Sequence, residues 1–517
     1  MKNVLVIVEA SGKTAFLQKA LKNIGIEARV MATIGHIYDN PKTLTPIALD
    51  RELRETSYAL KEERAGLVEN IRQAAFSADK VFLAMDDDQE GDVIAMDMSK
   101  ELSEVSGKLY RARLRAVSEE ELRKAFLGEL SQDFKGPANN GTCRRIVDRA
   151  IGAAFSEFGT PPVYVGRVQS SLLAQLEKDP PQIGEFVVQA QASSAEKFVA
   201  SIPVVSLAEL QRLESFRKAV EAGKGAAVSV EEIEVPVGEP WGYEEIVVEA
   251  SERLGIGIEE AAKGFQEAYE RGLVSYPRGR ANGFTVDAVE VTAALARHNR
   301  CAFNGSIMPL RSEGVSGKVP HESPRPLDDE MLLGRPLTVL GTAEAIAVLV
   351  ARNVIECGQS VKAKRVRIEA EGMEAYFTST PKPPMKPWRE PVRESGFTQY
   401  SNEAALIRYM AKHDLGRPST IVNHAAKFLS RGLVAEKGDQ PFALTGKGRR
   451  WLAHTEKHGF NADTSARIEA ALEEPIGDPH ARARSILQEH GMLEQVMLTI
   501  GSEPVRAEQD AEADFVI

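Results

Sequence analysis

The sequence predicts a multidomain protein, α/β at its start and mainly helical beyond, with a β-rich middle. Three observations carry this. The chain has 517 residues, more than one hydrophobic core organises, since domains run to roughly 100–200 residues. It opens as strand, helix, strand, the order of a small α/β domain with a parallel sheet. Later stretches alternate helical spacing with strand spacing, most clearly between Phe186 and about Val237.

In chain order, Val4–Val8 (VLVIV) is a continuous apolar run, the pattern of a strand buried on both faces. Phe16, Leu17, Ala20, Leu21 and Ile24 follow at helical spacing, and Gly25 is placed to end that helix. A second buried strand is expected over Val81–Met85, then a helix carrying Val93, Ile94 and Met98. Pro137 to Glu177 reads mostly helical. A helix over Ile258–Glu270 buries Ile258, Ala261, Phe265 and Tyr269, Gly272 closes it, and Leu273–Tyr276 reads as a short strand. Pro381–Trp388 (PKPPMKPW) reads as a linker. Beyond it the charge changes: Tyr400–Arg450 holds nine Lys or Arg against four Asp or Glu. Two helices flank Gly416-Arg417-Pro418-Ser419-Thr420, where Ser or Thr can cap the second. A hairpin over Leu433–Lys437 and Phe442–Thr445 completes the outline of a winged helix-turn-helix. The tail from Glu503 carries five acids and one Arg and is expected to be disordered.

Composition excludes several classes. Lys and Arg total 64 against 75 Asp and Glu, a net charge of −11. That argues against coating nucleic acid through bulk charge while leaving room for a local basic groove. Cys143, Cys301 and Cys357 stand far apart with no C-x-x-C, which excludes zinc ribbons and a disulfide framework. No apolar run approaches a membrane span, and Met1-Lys2 leads straight into the first strand, so neither membrane nor leader is expected. The expected compartment is the reducing cytoplasm.

Two segments carry chemistry. Asp86-Asp87-Asp88-Gln89-Glu90-Gly91-Asp92 puts five carboxylates in seven residues after a buried strand. Crowded carboxylates raise one another's pKa unless a cation sits among them. Mg²⁺ takes hard oxygen ligands and keeps waters or phosphates in its shell, and α/β sheets bind ligands at the C-terminal ends of their strands. A solvated acidic turn is the bland alternative. The first strand ends in Glu9-Ala10-Ser11-Gly12-Lys13-Thr14. Gly-Lys-Thr opening a helix suggests a phosphate cradle, but the first Gly of a P-loop would fall at Ile7, inside the strand.

VIVEASGKT together with AMDDDQEGD resembles the TOPRIM domain of type IA DNA topoisomerases, whose pattern of a Glu and D-x-D-x-E falls here on Glu9, Asp86, Asp88 and Glu90. Ile34-Gly35-His36-Ile37 resembles the segment between them. Further segments are similar to the family in its order: Arg144-Arg145-Ile146-Val147-Asp148-Arg149, Gly166-Arg167-Val168-Gln169-Ser170, Gly272–Arg278 with the nucleophilic tyrosine, His321–Pro326, Leu415–Thr420 and Ala466–Glu469. Together they span about residues 1 to 490. Two departures stand out. Gly279 and Arg280 replace the usual Thr and acidic residue, and the chain carries no zinc-ribbon module.

The resemblance implies a toroid of four domains: a TOPRIM domain over 1–135, a helical domain gripping single-stranded DNA over 136–183 and 396–517, a β-rich arch over 184–236 and 335–395, and the tyrosine domain over 237–334. It implies ATP-independent relaxation of negatively supercoiled DNA by a monomer without zinc, at the nucleoid or on plasmids. Tyr276 is the implied nucleophile and Arg278 the phosphate clamp. Lys13 is the implied transition-state cation and Glu9 the proton carrier. Asp86, Asp88 and Glu90 are the implied Mg²⁺ ligands. Arg145, Asp148, Arg167, Gln169 and Ser170 are expected to line a basic single-strand groove, and His321 and Arg325 to touch phosphate near Tyr276. Arg278, two residues from Tyr276 on an extended segment, is expected on the same face. The rival readings are a P-loop ATPase or helicase and a non-catalytic DNA-binding relative.

Overall fold

The computed structural model describes residues 1–115, 119–192, 196–279, 283–311, 321–389 and 394–500. The acidic tail and Arg280 therefore lie outside the described residues. The chain divides into two compact units. One takes Met1–Gln175, Glu270–Gly272 and the chain from Arg449. The other takes Leu176–Tyr269 and Leu273–Gly448.

The first unit begins with β1 (Val4–Val8), α1 (Thr14–Asn23) and β2 (Ala28–Ala32), then a short pair, β3 (Tyr38–Asp39) and β4 (Ala59–Leu60). α2 (Glu62–Ser77), β5 (Lys80–Leu83), α3 (Gln89–Glu101), β6 (Leu109–Arg111) and α4 (Glu119–Leu127) follow. Four strands form one parallel sheet in the order β2-β1-β5-β6. The uninterrupted apolar run of β1 has a direct cause, because alternate residues feed opposite cores. Val4, Val6 and Val8 pack with Leu17, Leu21, Leu122 and Phe126. Leu5 and Ile7 pack with Val68, Ile71, Ile94 and Met98 on the other face. The second strand stops earlier than expected. Its ladder ends at Leu83, and Asp86 makes a single parallel bridge with Leu114. Two helices, α5 (Lys135–Phe155) and α6 (Arg167–Lys178), complete the stretch read as helical.

The second unit holds a six-stranded antiparallel sheet in the order β12-β7-β8-β11-β10-β9. Its strands are β7 (Gly184–Gln191), β8 (Lys197–Val204), β9 (Ala226–Pro236), β10 (Ser360–Ala370), β11 (Met373–Ser379) and β12 (Gly396–Gln399), with α7 (Leu210–Glu221) between β8 and β9. Four helices occupy the middle: α8 (Tyr243–Leu254), α9 (Ile258–Glu270), α10 (Val286–His298) and α11 (Thr342–Cys357). α9 has the bounds its apolar spacing predicts.

Three expectations here need correction. Leu273–Tyr276 is not a strand. Val274 makes one antiparallel bridge with Pro326, and the opposing Ser323-Pro324-Arg325-Pro326 has two prolines that cannot donate to a ladder. Pro381–Trp388 is no free linker, because Trp388 is buried with Leu295, Leu333 and Ile355, and Lys386 is ion-paired with Glu356 at 2.6 Å. The turn between α12 (Asn402–Lys412) and α13 (Ile421–Ser430) has Thr420 at its cap position without a side-chain cap; its hydroxyl bonds the Arg417 carbonyl at 3.4 Å. The hairpin β13 (Val434–Lys437) and β14 (Gln440–Leu444) forms as expected. Its tip is docked, since the Asp439 carbonyl accepts from Leu207 N–H at 2.9 Å and from Ser206 Oγ at 3.2 Å.

The chain re-enters the first unit along α14 (Gly446–Lys457) and finishes it with α15 (Thr464–Glu473), α16 (Pro479–Glu489) and α17 (Leu493–Thr499). α15, α16 and α17 all pack on α5. Among the described residues no helix is long and apolar enough to cross a membrane.

Candidate active site

The carboxylate loop sits at the C-terminal end of the parallel sheet, where such sheets bind ligands. β1 delivers Glu9, half-buried, and a single 3₁₀ turn over Ser11–Lys13 delivers Lys13. Lys13 is only 2% exposed and is ion-paired with the buried Asp86. Asp88 caps α3, its carboxylate accepting from Gly91 N–H at 2.6 Å, and Glu90 lies in the first turn. Gly91 is obligatory: a Cβ there would stand 2.3 Å from the Asp86 carbonyl oxygen. Ile7 is wholly buried inside β1, so no glycine-rich phosphate loop can form there.

Three arginines missed by the sequence reading hold this loop. Arg111 is buried and donates to the carbonyls of Met85 at 2.9 Å and Asp86 at 2.8 Å and to the Asp92 carboxylate at 3.0 Å. Arg113 reaches Asp92 at 3.2 Å, and Arg115 pairs with Asp87. Burial pushes the Asp92 carboxyl up, against the pull of Arg111 and Arg113. The signal was present in the alternation Arg111, Arg113, Arg115 after a strand, which puts three guanidiniums on one side. Lys13 and these arginines are therefore the cations among the crowded carboxylates.

Among the described residues no group of three or more His, Cys, Asp and Glu is gathered to hold a metal. Mg²⁺ asks for less: one or two carboxylates, with water and substrate phosphate completing its shell. The hard oxygen donors of Asp88, at the cap position of α3, and Glu90, in its first turn, fit that demand. His36 lies near them. Burial pulls its imidazole down, with Glu90 opposing.

The expected basic groove takes a different form. Arg145 grips Glu55 with two bonds of 2.7 Å and lies 3.9 Å over the Tyr58 ring. Arg167, 7% exposed, donates to Asp148 at 2.6 Å and to Glu469 at 2.8 Å. Ser170 is buried and Gln169 half-buried. Arg145, and Asp148 with Arg167, thus belong to two ion-paired clusters, not to an open basic stripe. Carboxylates distant in the sequence, Glu55 and Glu469, take up the charge.

The tyrosine segment belongs to the second unit. Tyr276 is 4% exposed, its ring edge-on to Tyr269 at 5.6 Å and 4.6 Å from the His321 ring. Ser275 N–H donates to the Arg325 carbonyl at 2.8 Å, and Arg325 N–H returns a bond to Ser275 Oγ at 3.0 Å. Arg325 is itself ion-paired with Glu322 at 2.9 Å. Glu322 also accepts from Thr285 Oγ1 at 2.7 Å. Arg278 is half-buried; burial pushes the Tyr243 phenol up to about 12 while the charge of Arg278 pulls the other way. Gly279 has a steric reason. A Cβ there would meet the Glu322 carbonyl at 2.5 Å, and its own carbonyl accepts from Tyr243 N–H at 3.0 Å.

A family model described as DNA topoisomerase matches residues 133–380, and a Toprim domain model matches residues 4–117. DNA topoisomerase 1 of Aquifex aeolicus is 28% identical over 290 residues, covering 53% of this chain and 52% of that protein. DNA topoisomerase 1 of Escherichia coli is 23% identical over 582 residues, covering 94% and 65%. DNA topoisomerase 3-beta of Arabidopsis thaliana is 24% identical, covering 85% and 53%. The solved full-length topoisomerase I of Thermotoga maritima shares the fold, with a TM-score of 0.63 at 18% identity over 98% of this chain and 91% of that one. The chain spans about half to two thirds of the length of these curated relatives.

Proposed function

The chain belongs to the type IA DNA topoisomerase family, and we propose that it breaks, passes and rejoins single-stranded DNA without ATP. In this reading the Tyr276 hydroxyl attacks a backbone phosphorus. The new bond joins the phenolic oxygen to the 5′-phosphate, the bond to the 3′-oxygen breaks, and the phenolic proton ends on that 3′-oxygen. One phosphoester replaces another, so the energy for resealing is retained. Phenol ionises near about 10, so the attack needs nearby positive charge. Arg278, two residues along, supplies it and binds the phosphate. Lys13 stabilises charge on the phosphate in the transition state, and Glu9 carries the proton to and from the 3′-oxygen. Asp86, Asp88 and Glu90 would hold Mg²⁺, one or two of them directly with water and substrate phosphate filling the rest of its shell, and the bound ion would supply positive charge at the 3′ end. His321 and Arg325 contact phosphate beside Tyr276.

The observation that carries the reading is Tyr276 held between Tyr269 and His321, directly after α9, in a chain that also carries the Lys13–Asp86 loop. Negatively supercoiled DNA is the proposed substrate, since it supplies unpaired strand. Arg145, Asp148, Arg167, Gln169 and Ser170 are the residues proposed to meet that strand, its phosphates competing with the carboxylates that pair with Arg145 and Arg167 in the free protein, within the four-domain division given above. The protein works as a monomer in the cytoplasm, without zinc. Burial pushes the Cys143 and Cys357 thiols up to about 12, which suits packing and opposes metal ligation. The test is relaxation of negatively supercoiled plasmid with and without Mg²⁺, with topoisomers resolved on a gel. Mg²⁺-dependent relaxation is expected, and its absence at all Mg²⁺ concentrations sinks the reading.

A further inference from the structure

Gln89 is neither a carboxylate nor a cation, yet it stands between Asp88 and Glu90 as the first residue of α3. Its amide oxygen accepts from Arg144 Nε and Nη2, both at 3.3 Å, and its amide nitrogen donates to Glu473 at 3.4 Å. Arg144 also grips Glu469 at 2.5 and 2.8 Å. The same Glu469 carboxylate takes Arg167 at 2.8 Å. A continuous line of charge-assisted bonds therefore runs from Arg167 at the start of α6, through Glu469 on α15 and Arg144 on α5, to the residue that opens the metal loop. Backbone packing reinforces its far end. A Cβ on Gly141 of α5 would stand 2.8 Å from the Gln89 carbonyl and 2.6 Å from Val93, so α5 is pressed onto the first turn of α3.

We propose that Glu469 is a positioning residue that couples strand binding at Arg167 to the setting of Asp88 and Glu90. A phosphate arriving at Arg167 competes with Glu469 for one guanidinium. Any shift of Glu469 is felt at Arg144, which shares its oxygens, and through Arg144 at Gln89. Coupling between two sites is reciprocal, so the strand alters affinity for Mg²⁺ and Mg²⁺ alters affinity for the strand by the same factor. The inference rests on the function proposed above.

The experiment uses the full chain carrying Tyr276→Phe, so that no DNA is cut. Calorimetric titration measures Mg²⁺ affinity with and without saturating single-stranded oligothymidylate. Coupling of about 5-fold or more is expected in this background, the lower end of the usual range. Phosphate near the loop contributes a direct electrostatic part that every variant keeps. Glu469→Gln should remove the remainder, and so should Gln89→Ala, which touches neither arginine's charge and serves if the first variant folds poorly. The double variant should lose no more than either single one, the mark of one shared line. Glu469→Asp, which keeps the carboxylate, should restore part of the coupling. Unchanged coupling in Gln89→Ala, or losses that simply add, would overturn the proposal. Failure of the parent protein to relax plasmid overturns the functional reading instead, so the two failures are distinct.

Discussion

At Gly279 the residue is dictated by its neighbour. The Glu322 carbonyl occupies the space of a Cβ, so Gly279→Thr should lower stability by about 1–3 kcal/mol, the usual cost of overpacking, and slow relaxation by disturbing the segment around Tyr276. Thermal melting and relaxation rates check both. Tyr276→Phe removes one hydroxyl from a ring whose packing against Tyr269 and His321 does not depend on it. Fold and strand binding should persist while the covalent DNA adduct disappears; an adduct retained in this variant would contradict the assignment. Glu55 offers a pH test. Burial pushes its carboxyl up, but the bonds from Arg145 and Asn40 outweigh burial and hold it below the usual range. A depressed folded-state pKa gives stability that is present above the unfolded value and lost as pH falls through the folded one. Glu55→Gln should therefore cost about 3–5 kcal/mol near pH 7, as when one partner of a buried pair is removed. The gap from the parent should narrow in acid, which melting curves across pH 7 to 3 would display.

Among the elements, β6 and the arginines after it matter most for the carboxylate loop. Arg111→Ala would leave Asp92 in a buried setting without its main partner and free the carbonyls of Met85 and Asp86. The expected result is a loss of about 3–5 kcal/mol together with weaker Mg²⁺ binding, measured by melting and by titration; unchanged Mg²⁺ affinity would detach Arg111 from the loop's geometry. How far these elements were readable depends on sequence distance. β1, α1, α9 and the β13–β14 hairpin were legible because local apolar spacing and turn residues determine them. The carboxylate loop was legible because a strand leads into it. The segment carrying Tyr276 was misread as a strand, since its partner is a proline-rich stretch about fifty residues on and proline blocks the ladder. The pairing of Arg145 with Glu55 and of Arg144 with Glu469 was invisible for the same kind of reason: the partners are 90 and 325 residues apart. Arginines beside one another in a motif say nothing about which distant acid will neutralise them.

For the whole molecule, a net charge of −11 sets the balance. Nonspecific attraction to duplex is weak, so binding should favour single strands and fall as salt rises through counterion release. Because Arg145 and Arg167 already face carboxylates, the logarithmic salt slope should be shallow, near that of a few phosphate contacts. Filter binding from low to moderate salt measures it, and a steep slope with equal affinity for duplex would contradict this account. The first unit also closes late. α5 is buried against α15, α16 and α17, which the ribosome reaches only after the entire second unit has emerged. At roughly 5–20 residues per second, the intervening stretch of about 300 residues takes roughly 15–60 s. Through that interval the part of α5 that packs on these three helices waits without its covering, while the part on α3 is already made. Synthesis thus imposes an order in which the middle of the chain matures before its beginning is sealed, and a chain halted after Gly448 should be recovered in aggregates or bound to chaperones while the second unit folds.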